Sequence, residues 1–565
     1  MRKLMRRATT LGALLVGAVV GAGLLTACGA DQNAPLYYRT DARLSTYNAA
    51  GVDGNSDGVL MAFTRVQGGF STLGPQGQTI SDRDIGEVAL APGPTLTLRY
   101  TFSPKAVYSD GTPMTCDDIV LSWVAQSGRF RGFEPATTAG YRDIDRVECT
   151  PGDKTATVRF AKGRDYRDWR DLFGAGDLLP AHVVARDAGL PNVIDAVRTK
   201  NMAGLAAIAK SWNTGFALPT GPLDPKRFLS SGPYRAESFD PKTGLRLVRN
   251  EKWWGQPATL ASIVVFGRNT DLAARSGAGG FDVTDATAGL ADVPAGSQAA
   301  PPQVAPSSGA LSTEQIVLAH RGALATPQAR QAFGSCVPRD ALARGYGFGS
   351  QPWNLHVLTP ASDLADPING QFGQRYARAD VVRARETAKQ RPPAPNGAPP
   401  PPLKVRIGYL GPDARRQQMV ADIASSCRRA GIEVLDAASP DVKVGALRAG
   451  DLDALLLNTG SSFAAAGAAE VVRDAYGLYR GDPLNIGDFA DPAAADAVST
   501  FALTAVAGDQ LAQSRAMEAA AWRDLAAIPL FATPREQQWS GKLDGVIGGR
   551  ARNGTGWNMD RWSRK

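Results

Sequence analysis

Residues 230–255 read SSGPYRAESFDPKTGLRLVRNEKWWG. Tyr234, Phe239, Leu245, Leu247 and Val248 are the apolar positions of two short runs, and Asp240-Pro241-Lys242-Thr243-Gly244 is turn chemistry between them. The stretch therefore predicts a β-hairpin. Its alternation is imperfect, because Leu247 and Val248 would point to opposite faces. Arg246, Arg249 and Lys252 read as side chains whose stems cover exposed surface. Trp253 and Trp254 pose a choice between stacking on a ligand and packing the hairpin's base.

The surrounding chain has 565 residues, which predicts two or three domains. Hydrophobic residues at 44% and charged residues at 21% are ordinary for a globular protein. The first residues differ: Arg2, Lys3, Arg6 and Arg7 precede an uncharged run from Leu11 to Ala27, the pattern of an export signal. Leu25-Thr26-Ala27-Cys28-Gly29 is similar to the lipobox of bacterial lipoproteins, which implies removal of residues 1–27 and acylation of Cys28 at the outer face of the cell membrane. Without those four basic residues the balance is 58 basic against 54 acidic, or +4. With no Lys/Arg run and with export, nucleic acid is excluded as the expected partner.

Moving outward from the hairpin, Leu96–Phe102 alternates as a strand. Thr115 is an N-cap with Asp117 and Asp118 in the first turn, and Ile119, Val120 and Trp123 form one apolar side of that helix. YRDIDRVEC and TATVRFA make a strand pair about the turn Thr150–Asp153. LASIVVF is a strand, and Ala288–Ala310 reads as surface chain near a domain crossing. EQIVLAH (Glu314–His320) opens a second body, and Thr326-Pro327 starts a helix. LKVRIGYL, MVADIASSCRRAGIEVL and DALLL give strand, helix and strand, an α/β order.

Several chemistries are missing. His182, His320 and His356 form no H-x-x-x-H pair, and no G-x-S-x-G or G-x-x-x-x-G-K-[ST] string occurs. The histidines read as surface or loop residues, not bases. Asp53-Gly54-Asn55-Ser56-Asp57-Gly58 matches half of a calcium loop, but Thr64 stands where a bidentate Glu is required, so a polar turn is expected. No metal, cofactor or catalytic group is predicted.

The quoted stretch resembles the hairpin segment of family 5 extracellular solute-binding proteins, with Ser230 in place of the family's first Gly and Trp253 in place of its usual Tyr. Tyr108–Thr115 with Asp117–Val120, Ala329–Phe333 with Arg339, Ala430–Val434, Asn485-x-Gly487-x-Phe489 with Pro492 and Asp496, and Ile528–Leu530 resemble further family segments in the same order. The resemblance implies an α/β, two-lobed periplasmic-binding-protein-like fold of the large peptide-binding type. Its first lobe is discontinuous, 28–299 and 485–565, around a second lobe at 300–484. A monomer would hold a peptide or other small solute between the lobes and pass it to the permease of an ABC importer. In that family the hairpin is scaffold, so Trp253 and Trp254 are expected to pack. The four cysteines other than Cys28 allow three pairings; keeping each within a lobe favours Cys116–Cys149 and Cys336–Cys427.

The resemblance thins at the ligand. Peptide binders carry a Trp-x-x-Asp-Tyr-like segment whose aspartate meets the peptide amine, yet Asn458–Gly467 has neither tryptophan nor aspartate. A second reading therefore stands beside import: a non-transport cell-envelope regulator or scaffold on the same fold. The expected cleft residues are Tyr47, Asn48 and Phe70 in early first-lobe loops, Trp353 and Asn354 after a glycine-rich turn, and Thr459, Ser461, Asn485 and Trp557 near lobe ends.

Overall fold

A computed structural model describes residues 31–287, 310–347, 350–393, 397–459 and 470–565. The export signal, Cys28 and nearly all of the Ala288–Ala310 stretch lie outside the described residues. Among the described residues, no helix is long and apolar enough to cross a membrane.

The hairpin forms. β3 (Tyr234–Asp240) and β4 (Gly244–Arg249) pair antiparallel, with a register shift between Arg246 and Leu247 opposite Ser238 and Ala236. Glu237 is thus the extra residue of a bulge on β3; β4 itself alternates, with Val248 half-buried on the face opposite Leu247. Leu245 and Leu247 are buried. Trp253 is buried and Trp254 lies against it, 4.5 Å between ring centroids, with their indole N–H groups donating to the Gln256 and Asp84 carbonyls at 3.0 and 2.6 Å. Both are scaffold, as expected.

These strands belong to an 11-stranded sheet. With β1 (Leu36–Thr40), β2 (Gly221–Pro222), β5 (Ser262–Phe266), β6 (Val283–Thr287), β7 (Ala310–Leu318), β8 (Lys404–Gly408), β9 (Glu433–Asp436), β10 (Ala454–Thr459) and β11 (Ala527–Trp539), the order is β9-β8-β10-β7-β11-β6-β1-β5-β4-β3-β2. β11 joins the halves. Its residues 527–534 pair with β7, and its residues 535–539 pair with β6. A separate four-stranded sheet, Gly86–Leu90, Thr97–Phe102, Thr155–Phe160 and Ile144–Glu148, extends the first lobe.

Two cores follow. Tyr38, Phe63, Tyr100, Ile119, Leu247 and Trp562 belong to the first; Ile316, Phe333, Met419, Ile423, Leu456 and Leu530 belong to the second. Helix α1 (Cys116–Gln126) starts with a capping box, its Thr115 N–H donating to Asp118 at 3.0 Å. Helix α2 (Pro327–Cys336) starts at Thr326, whose hydroxyl accepts from Ala329 N–H. α3 (Ala414–Arg428) packs in the second core, α4 (Val471–Ala475) in the first, and α5 (Ala507–Asp524) reaches both. The two cores draw on residues from both sides of the expected boundary at residue 484. Val472, Ala475, Tyr476 and Leu478 already belong to the first core, ahead of residue 484, whereas Trp522, Leu525, Ile528 and Leu530 return to the second. Side-chain burial, which no local pattern reports, sets this division.

Both disulfides are present: Cys116–Cys149 within the first lobe and Cys336–Cys427 within the second. The latter closes a loop of 91 residues. Cys336→Ser with Cys427→Ser is expected to lower unfolding free energy by about 4 kcal/mol, read by urea titration against the parent chain.

At the join, Arg535 of β11 and Asp285 of β6 form an ion pair with side-chain exposures of 3% and 0%. Asp285 also accepts from Gln537 at 3.2 Å and from Thr555 N–H at 2.6 Å. Arg535→Met strands this carboxylate, and the expected cost is about 3–5 kcal/mol, measured by thermal or urea unfolding.

Candidate interlobe site

The site is built where strand ends and loops of both halves meet beside β11. A smaller cavity of about 100 Å³ is lined by Gln315 and Val317 of β7, Asn458 of β10, Asp474 of α4, and Asn485, with Asn55 at its side. A larger one of about 490 Å³ lies between Arg43 and Arg268–Ala273 on the first lobe and Leu410–Arg415 with Pro440 on the second. A third space of about 40 Å³ links them, sharing Leu457 with the first and Arg43, Arg268 and Leu410 with the second.

The lobes touch around these spaces. Lys443 Nζ lies 2.5 Å from Asp53, and Arg43 Nη2 lies 3.0 Å from Asp441. Asn458 Nδ2 donates to Thr287 Oγ1 at 3.1 Å. Val444, Leu447, Leu455, Leu457 and Ile486 form a small apolar cluster, with Val52 of the first lobe packed on it. The half-calcium string takes part here as polar turn and short helix: Asp53 meets Lys443, and Asn55 Oδ1 accepts from Arg473 at 2.6 Å.

Some buried polar atoms on the residues that line the cavities have no hydrogen-bond partner among the described residues. In the smaller cavity they are Gln315 Oε1, Asn458 Oδ1 and Asp474 Oδ1; in the other two they are Nε and Nη2 of Arg268, Nε of Arg415 and Nη2 of Arg416. Burial drives the Asp474 carboxyl well above its usual range despite Arg473 beside it. Each such group costs about 1–3 kcal/mol when left unpaired.

Glu314 of β7 is the electrostatic centre on the second-lobe side. Its exposure is 0%, and it accepts from Arg415 at 2.9 Å and from Arg416 at 2.8 Å. Desolvation opposes its charge, but the two guanidiniums win and bring its carboxyl down from 4.5 to about 2. A carboxylate depressed in the folded state gives stability that is full above the unfolded value near 4.5 and is lost as pH falls toward about 2. Glu314→Gln is therefore expected to lower stability at pH 7 and to flatten the loss between pH 4.5 and 2, read as Tm against pH.

The sequence-derived cleft residues mostly land elsewhere. Tyr47 is fully buried, its hydroxyl donating to the Leu229 carbonyl at 2.7 Å and its ring set edge-on to Phe63 and Phe228. Asn48 ties its own loop to the Trp212 carbonyl at 2.8 Å. Phe70 packs between Tyr100 and Phe102. Trp353 donates to the Leu358 carbonyl at 3.0 Å, and Asn354 accepts from Arg339 at 2.9 Å. Trp557 donates to the Ile547 carbonyl at 3.0 Å, within the first-lobe tail. These six serve packing and loop closure. Asn485 does line the smaller cavity, although its amide is held by Tyr479, Phe489 and the Phe489 N–H. Thr459 ends β10 opposite Thr313, and Ser461 lies outside the described residues.

The histidines are not free surface residues either. His356 is buried, with Nδ1 2.8 Å from Glu518 and Nε2 3.1 Å from the Ala527 carbonyl. His320 packs on Phe489, and His182 lies 3.5 Å from Asp110. Among the described residues, the single clustering of metal-type ligands is Cys116, Asp117 and Cys149, whose two sulfurs are consumed by a disulfide.

Sequence reasoning missed Arg43, Arg268, Glu314, Arg415 and Arg416. The available signal was positional: Gly267-Arg268-Asn269-Thr270-Asp271 follows the wholly buried β5 at its carboxyl end, where open α/β sheets place ligands.

Comparison with known proteins agrees with this architecture. Residues 93–469 match the model of bacterial extracellular solute-binding proteins, family 5 Middle. An uncharacterized lipoprotein of Mycobacterium tuberculosis is 37% identical over 573 residues, 99% of each chain. The oligopeptide-binding protein OppA of the same species is 31% identical over 221 residues, covering 38% of this chain and 32% of that one. Among solved structures, Bacillus subtilis oligopeptide-binding protein AppA in complex with a nonapeptide has TM-score 0.70 at 12% identity, covering 94% of this chain and 99% of AppA. The periplasmic EDTA-binding protein EppA has TM-score 0.71 at 19% identity, covering 94% and 96%.

Proposed function

We propose, from the premise that this chain belongs to family 5 of the bacterial extracellular solute-binding proteins, that it captures a small solute, peptides included, between its lobes and delivers it to an ABC importer. Cys28 carries the lipid anchor, the protein works as a monomer at the outer face of the cell membrane, and no covalent chemistry is performed. The observation that carries this reading is the set of buried, unpaired polar atoms contributed from both lobes to the interlobe cavities. A scaffold has no use for such groups, whereas a ligand that pairs them offsets their desolvation cost. Because they come from both lobes, a ligand meeting both sets favours the closed arrangement over an open one.

The scaffold reading has one observation on its side. The apolar cluster around Leu455 and Leu457 with Val52 fills part of the cleft with protein. Native mass spectrometry of residues 29–565, which contain every described element, purified from the source host, separates the two. Capture predicts an added mass that is lost on denaturation. A clean apo mass with no thermal shift across solute and peptide pools would establish the scaffold instead.

A further inference from the structure

We infer that the larger interlobe cavity receives an anionic oxygen-bearing group of the captured solute, a carboxylate or a phosphate, held by Arg268 from the first lobe and by Arg415 from the second. The inference rests on solute capture and specifies its chemistry. Arg268 has 13% of its side chain exposed, and the Asp41 carboxylate lies 3.9 Å from it, beyond hydrogen-bond reach. Its Nε and Nη2 are buried and unpartnered. Arg415 and Arg416 share Glu314, which leaves Nε of the first and Nη2 of the second unused. Burial already pulls the Arg268 guanidinium below its usual value, as expected for a desolvated cation short of counter-charge.

The carboxylates around this cavity have their own work. Asp41 accepts from the Thr287 N–H at 2.5 Å and its hydroxyl at 2.6 Å. Asp271 caps the helix Leu272–Gly277, and Asp413 caps α3. Glu314 is shared between two arginines. The unmatched groups are therefore donors from both sides of the cleft. Helix α3, 15 residues long, adds its partially positive N-terminus through Ala414 and Arg415. Guanidinium edges suit planar carboxylates and phosphate oxygens, and about 490 Å³ falls within the range of small-ligand pockets.

The test is calorimetry and thermal shift on residues 29–565 with inorganic phosphate, citrate, trialanine and trialanine C-terminal amide. The expected result is binding of phosphate or of the carboxylate-bearing probes, a weaker response to the amide, and at least tenfold loss of affinity in Arg268→Gln. Which anion binds decides between the two headgroups. Arg415→Gln, which leaves Arg416 on Glu314, serves as a second variant should Arg268→Gln fail to fold. Failure of every anion to bind at millimolar concentration, or equal binding in the folded variants, overturns the assignment. Co-purification of a neutral solute, retained equally by the variants, overturns the anionic reading and leaves capture standing. A chain that retains no solute from its host and responds to no pool overturns both.

Discussion

The structure depends on one strand that belongs to two bodies. Ala527–Trp539 spends its first part hydrogen-bonded to Ala310–Leu318 and its last part hydrogen-bonded to Val283–Thr287. A backbone strand in a sheet cannot shift by one residue without sending its side chains to the opposite face. Register on one side therefore constrains register on the other. The buried Arg535–Asp285 pair sits just past the change of partner, on the first-lobe side. A desolvated ion pair of this kind is a poor source of net stability but a strict demand on geometry. Here it holds the crossing against Gln537 and the Thr555 backbone as well.

The cleft beside that crossing is polar in two different ways. Its rim carries ion pairs, exposed Lys443 with exposed Asp53 and half-buried Arg43 with exposed Asp441. Such pairs contribute little in water and are screened by salt. Its interior carries guanidiniums and amides that have lost water without gaining full partners. The rim therefore holds the lobes together weakly, and the interior carries desolvation that the protein's own groups leave uncompensated.

Much of the fold was legible in the sequence because its signals are local. The hairpin around Asp240–Gly244, the capping box at Thr115–Asp118 and the Thr326-Pro327 start need only a few neighbouring residues to be read. The cysteine pairing followed from proximity within each lobe. The cleft was not legible in this way. Tyr47, Phe70 and Trp353 look like ligand aromatics in loop text, but their size makes them core residues once the chain folds over them. Arg43, Arg268 and Arg415 stand far apart in sequence and meet only through tertiary packing, so no spacing announces them. The packing of the short helix Val471–Ala475 was equally hidden: its buried face joins the first core through tertiary contacts that no local pattern reports.

The placement of the two disulfides has a consequence for how the chain matures. Their spans, 116–149 and 336–427, neither overlap nor enclose one another. In a chain delivered across a membrane from its N-terminus, as the lipoprotein relatives imply, the first pair would be complete long before Cys336 emerged. A bond between Cys116 and Cys149 at that stage removes both from competition, and the second pair then has a single partner choice. Oxidation in order of emergence thus leads to the native pairing without reshuffling, and the joint between the lobes is left free of any covalent brace.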